Sequence, residues 1–138
     1  MEIIGTLFMF TYAENTGAAF GQFEGKTLYL AAATIIFIFF LVWGYKTSPS
    51  KGEKCGYLLV ITGALGNLID RLRLGCVIDF IDFDIPDIHL EKMGFLESME
   101  LTRWPIFNFA DIYICAGVGI ILLFAFFETK NKPSKACP

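Results

Sequence analysis

The chain has 138 residues and a formal net charge of −3; 55% of its residues are hydrophobic and 18% are charged. Typical globular chains are about 45–50% apolar and about 25% charged, so this composition indicates a membrane protein of one domain, residues 1–138. The sequence has no basic stripe that would bind nucleic acid, and its one histidine and four scattered cysteines lack the spacing of a metal site.

The N-terminal stretch from Ile3 to Ala13 is apolar but too short to span a bilayer. It has no basic segment and no small-residue cleavage site, so it does not resemble a secretory signal peptide. The alternation of residues 6–12 instead predicts a short β-segment that lies on the membrane surface.

Three later stretches predict transmembrane helices, over residues 27–45, 55–70 and 109–127. The first and third are long apolar runs, which suit a hydrocarbon core of about 30 Å. The second is rich in glycine and alanine, which favours close packing between helices. The sequence therefore predicts an all-α membrane protein, a bundle of three helices with a small β-segment and a loop on the outer face.

Charge predicts how these helices are oriented. The connector of residues 46–54 carries three lysines, and the C-terminal tail adds Lys130, Lys132 and Lys135, so both belong on the cytoplasmic side. The segment from Asp79 to Arg103 is strongly acidic and belongs outside, where residues 89–104 are expected to form a flap over the site.

Three polar clusters fall on this outer face. Asn15 precedes the first span, Asn67, Asp70 and Arg71 close the second and Asp79 follows it, and Asn108 and Asp111 open the third. Ionisable groups at membrane depth are costly, so they are candidates for function. Two adjacent carboxyl groups can hydrolyse a peptide bond when the ionised group activates water and the protonated group polarises the carbonyl.

Each residue also has a structural interpretation. Asn108 and Asp111 could cap the third helix, Asp70 and Arg71 could form a local ion pair, and Asn67 could hydrogen-bond a helix end. Two glycines could serve only to pack the helices, namely Gly63 and Gly66. Four acids could be solvated loop residues without a catalytic role, namely Asp79, Asp82, Asp84 and Asp87. On these grounds a small transporter or proton relay, or a binding protein, stays an alternative.

The blocks NTGAAF, GALGNLIDRLRLGCVIDFI and FNFAD, in this order and separated by spans, resemble lipoprotein signal peptidase, the signal peptidase II family. That family cuts bacterial prolipoproteins just before the diacylglyceryl-modified cysteine. The resemblance implies an aspartic endopeptidase that needs no metal or cofactor, with Asp79 and Asp111 as the catalytic dyad. The residues implied to support the dyad or contact the substrate are Asn15, Gly63, Asn67, Asp70, Arg71 and Asn108.

The resemblance also implies the setting of the enzyme. We expect a monomer that spans the bacterial inner membrane several times, with its active site facing the periplasm. Its partners are expected to be membrane lipids and a lipidated prolipoprotein substrate. The family has four membrane helices, so we expect that the first is missing here and that Met1 lies outside; an inactive truncated relative that acts as a binding protein is the alternative.

Overall fold

The computed structural model describes residues 2–4, 7–17, 25–84, 88–90, 99–101 and 104–131. The described chain forms three helices and five strands. In chain order they are β1 (Glu2–Ile4), β2 (Phe8–Asn15), α1 (Thr27–Thr47), α2 (Lys51–Leu74), β3 (Val77–Phe83), β4 (Ile88–Leu90), β5 (Met99–Leu101) and α3 (Phe109–Asn131).

All three helices are long and apolar enough to cross a membrane, which confirms the three predicted spans. The second helix extends four residues beyond the prediction at each end, because both of its ends are capped. The hydroxyl of Ser50 accepts a hydrogen bond from the Glu53 N–H, and Gly75 ends the helix in the left-handed conformation, with φ 77°.

Helix α2 lies at the centre of the bundle and packs against both α1 and α3. In its most apolar stretch 33% of residues are buried, against 11% in α1 and 6% in α3. Glycines allow α2 and α3 to approach closely. A Cβ on Gly56 would lie 2.7 Å from the Gly117 carbonyl oxygen, and one on Gly117 would lie 2.6 Å from the Gly56 carbonyl oxygen. Such small-residue contacts carry much of helix association in membranes.

An antiparallel sheet in the order β1-β2-β3 covers one end of the bundle. The predicted β-segment is thus confirmed as β2, which has partners on both sides. The backbone of Phe107 bonds to the free edge of β3, where its N–H donates to the Ile81 carbonyl at 3.0 Å and its carbonyl accepts from the Ile81 N–H at 2.8 Å. The sheet therefore fixes the chain just before α3 begins.

Asp82 corrects one prediction. It was expected to be a solvated loop acid, but it lies in β3, is only 2% exposed, and accepts a 2.6 Å hydrogen bond from the Thr11 hydroxyl. The acids at positions 79 and 82 hid the strand, because they interrupt the apolar alternation by which strands are recognised.

Strands β4 and β5 pair as a separate antiparallel hairpin, with Ile88 opposite Leu101. They lie in and beside the predicted flap of residues 89–104. The remainder of that flap before Trp104, together with Asp87 and residues 132–138 of the lysine-rich tail, lies outside the described residues.

Candidate active site

Asp79 is the buried acid of the site. It lies in β3, its side chain is 3% exposed, and both of its oxygens accept hydrogen bonds. The Asn15 amide nitrogen Nδ2 donates to Oδ2 at 3.0 Å, and Nδ2 of Asn108 donates to Oδ1 at 2.8 Å. The structure thus holds this carboxyl group between two amides instead of leaving it in a solvated loop.

Asp111 lies in the first turn of α3 and forms a reciprocal cap with Asn108. The Asn108 Oδ1 accepts hydrogen bonds from the N–H groups of Ala110 at 2.7 Å and Asp111 at 3.3 Å. In return, Oδ2 of Asp111 accepts from the Asn108 N–H at 3.1 Å. This is a capping box, so the structural interpretation of the pair is confirmed. The same Asn108 that caps the helix also donates to Asp79, so one residue bonds both acids.

Asn67 completes the network from α2. Its Nδ2 donates to Asp111 Oδ1 at 2.9 Å, and its Oδ1 accepts from Asn108 Nδ2 at 3.1 Å. Asn67 lies about two turns before Leu74, so it does not bond the end of its own helix; both of its partners lie at the start of α3. It instead links the two helices at the level of the carboxyl groups.

The electrostatic environment favours the protonated form of Asp79. Burial raises the pKa of Asp79 above its usual value, and the negative charge of Asp111 raises it further. The hydrogen bonds that the side-chain amides of Asn15 and Asn108 donate, together with the nearby Arg71 guanidinium, partly offset this rise in the pKa. Burial is the largest of these effects, so Asp79 keeps its proton to a higher pH than an exposed aspartate does.

Arg71 points into the site from α2. Its Nη2 donates to the carbonyl oxygen of Gly17 at 3.0 Å. The expected local ion pair between Arg71 and Asp70 is absent from the described structure, and Arg71 makes this bond to Gly17 instead. The Arg71 Nε is buried and has no hydrogen-bond partner among the described residues.

A cavity of about 1090 Å³ adjoins both carboxyl groups. Asn15, Asn67, Arg71, Asp79 and Asp111 line it, and all five are among the residues that the family resemblance implies for the site. Trp104, at the end of the predicted flap, also lines the cavity. Other residues of the lining were missed: Leu30 and Thr34 on α1, Pro105 to Phe107, and Ile112, Cys115 and Ala116 on α3. The turn spacing from Asp111 could have indicated Cys115, which lies four residues further along the same helix face.

Three of the predicted site residues, Gly63, Asp70 and Asn108, lie outside this lining. Gly63 is buried against α3, where a Cβ would collide with the Ala110 carbonyl oxygen, so it sets the distance between α2 and the first turn of α3. Asp70 is half-buried on α2, outside the cavity.

Known proteins resemble this chain over most of its length. Residues 1–127 match the family described as signal peptidase (SPase) II. The lipoprotein signal peptidase of Psychromonas ingrahamii is 41% identical, over 96% of this chain and 72% of the relative. That of Halothermothrix orenii is 36% identical, over 94% and 78%. A bacterial membrane enzyme solved by the in meso method at 2.3 Å matches with a TM-score of 0.78 and 32% identity, over 100% of this chain and 77% of that one.

Proposed function

Since this chain belongs to the signal peptidase II family, its activity is the removal of signal peptides from prolipoproteins, and we propose that Asp79 and Asp111 hydrolyse the peptide bond. One observation carries the proposal: Asn108 hydrogen-bonds both carboxyl groups beside a cavity large enough for a substrate segment. Such a pair supplies the acid and the base that an aspartic endopeptidase needs.

The two carboxyl groups divide the work. Asp79, whose pKa is raised by burial, carries the proton and donates a hydrogen bond to the scissile carbonyl. Asp111 accepts a proton from the attacking water while Asn67 and the Asn108 N–H hold its oxygens. That proton then passes to the leaving amine.

The surroundings of the carboxyl groups suit a lipidated substrate. The cavity extends from the sheet to Leu30 and Thr34 of α1 and to Cys115 of α3, which lie within membrane-spanning helices. A signal peptide that arrives from the bilayer would thus meet the carboxyl groups while its acyl chains remain in lipid. The substrate of the proposal is a prolipoprotein whose cysteine carries a diacylglyceryl group, cut just before that cysteine.

The chain is a multi-pass membrane protein, and we place it in the bacterial inner membrane as a monomer. The lysines of the α1–α2 connection lie at the opposite end of the helices from the carboxyl groups. By the positive-inside rule that end is cytoplasmic, so the active site faces the periplasm.

The first prediction tests this chemistry with Asp79→Asn and Asp111→Asn in the purified, lipid-reconstituted chain. Each substitution should lower the rate of cleavage of a diacylglyceryl-modified precursor by at least about 100-fold, because a general acid or base contributes about 10²–10⁴-fold. Asp84→Asn is the matched control, since Asp84 lies beyond β3 and outside the cavity lining. Cleavage of the precursor at the unmodified rate by either dyad variant would refute the assignment.

A further inference from the structure

Strands β2 and β3 do not pair in one continuous register. Phe8 and Phe10 lie opposite Phe83 and Ile81, and Ala13 lies opposite Asp79. Two residues of β2, Thr11 and Tyr12, therefore oppose the single residue Phe80 of β3. This is a β-bulge, in which one strand gains a residue relative to its partner.

The bulge changes which side chains of β2 share a face. In a regular strand, residues five apart point to opposite faces. Because the bulge adds one residue, Phe10 and Asn15 lie on the same side of the sheet as their partners Ile81 and Val77, and Asn15 reaches Asp79. On that side Phe8 also stacks on Phe83, with ring centroids 4.7 Å apart. Without the bulge, either Asn15 or the two phenylalanines would turn to the other face.

A partly buried hydrogen bond connects the bulge to β3. The Thr11 hydroxyl donates to Asp82 Oδ2 at 2.6 Å, and Asp82 is 2% exposed. Short bonds to a carboxylate are stronger than those between neutral groups, and they are costly to break when buried. Thr11 is itself one of the two bulged residues, so this bond joins the extra residue of β2 directly to β3.

We propose that Thr11 and Asp82 are positioning residues, which fix the β2–β3 register and thereby place the Asn15 amide on the catalytic carboxyl group of Asp79. Neither touches the reacting atoms. Their role rests on the proposed function of Asp79, because it is expressed only through the Asn15–Asp79 hydrogen bond.

The test compares Thr11→Val, which keeps the shape of the side chain and removes the donor, with Thr11→Ser, which keeps the hydroxyl. Thr11→Val should lower kcat for precursor cleavage about tenfold with little change in KM, because the Asn15 amide is then less well placed on the carboxyl group that acts in the chemical step. Thr11→Ser should retain most of the activity. Thr62→Val is the control, because its exposed hydroxyl bonds only within α2. If Thr11→Val does not fold, Asp82→Asn is compared in the same way.

A double-mutant cycle with Asn15→Ala separates positioning from a merely structural role. If Thr11 acts through Asn15, adding Thr11→Val to Asn15→Ala should cause no further loss of kcat. Losses that multiply, or unchanged kcat in both Thr11→Val and Asp82→Asn, would overturn the proposal. Asp79→Asn is assayed beside them to keep the two questions apart. Full activity of Asp79→Asn refutes the catalytic role itself. An inactive Asp79→Asn beside fully active Thr11→Val and Asp82→Asn refutes only the positioning role.

Discussion

Asn108 determines both the start of a helix and the geometry of the candidate catalytic groups. Its side chain caps α3, bonds Asn67 and donates to Asp79, while its backbone N–H bonds Asp111. In the sequence, the capping role and the site role of this residue were alternatives. In the structure, Asn108 caps α3 and hydrogen-bonds both carboxyl groups at the same time. In a capping box, the acid three residues after the cap residue bonds back to it, which here places Asp111 beside Asn108.

The second prediction concerns the pH dependence of cleavage. In the proposed mechanism Asp79 acts in its protonated form, so the alkaline limb of the profile is the loss of activity as pH rises through the pKa of Asp79. The Asn15 N–H stabilises the carboxylate and lowers that pKa. Asn15→Ala should therefore raise the pKa of Asp79 and move the alkaline limb of the kcat profile to higher pH, measured with a lipidated precursor.

The control for this experiment is Glu14→Gln, which removes a neighbouring exposed carboxylate that does not bond Asp79. Its alkaline limb should coincide with that of the unmodified chain. A limb that moves to lower pH in Asn15→Ala would show that Asp79 is not the protonated member of the pair.

Among the elements, the glycine contacts between α2 and α3 decide where the carboxyl groups lie. Gly63 packs directly against the Ala110 carbonyl, within the turn that contains Asn108 and Asp111. Any side chain at position 63 pushes this turn away from Asn67. The glycine that the family resemblance assigns to the site thus contributes by permitting helix contact.

The third prediction follows from that contact. Gly63→Ala should destabilise the bundle by about 1–3 kcal/mol, the usual cost of overpacking, and should lower activity as well. Gly119→Ala is its matched control, since a Cβ there meets nothing within 4 Å and alanine favours a helix. Thermal unfolding in lipid nanodiscs measures both, and equal stability of the two variants would contradict the packing role.

The helices were predictable from the sequence and the sheet was only partly so. Length and apolarity define a span by themselves, whereas the ends of α2 depend on the local caps at Ser50 and Gly75. Strand β3 was taken for a loop because Asp79 and Asp82 look solvated when their partners are unknown. Those partners, Asn15 and Thr11, lie more than 60 residues away in sequence, so no local pattern reveals them.

At the scale of the whole molecule, the sidedness of the bundle is the fourth prediction. In a chain without native cysteines, Leu7→Cys on the sheet should react with a membrane-impermeant maleimide in intact spheroplasts. Lys51→Cys at the start of α2 should react only after the membrane is opened. Both positions are exposed in the structure, so access to the reagent depends on the side of the membrane. The reverse labelling pattern would place the carboxyl groups in the cytoplasm.

The two tryptophans of the chain lie in different parts of the structure. Trp104 is 48% exposed and lines the cavity beside the carboxyl groups, whereas Trp43 is 63% exposed near the far end of α1. Trp104 is therefore a natural fluorophore at the site, whereas Trp43 is a fluorophore distant from it. In a Trp43→Phe background, emission comes from Trp104 alone, so an uncleavable lipopeptide that enters the cavity can be followed by light, without a label and without turnover.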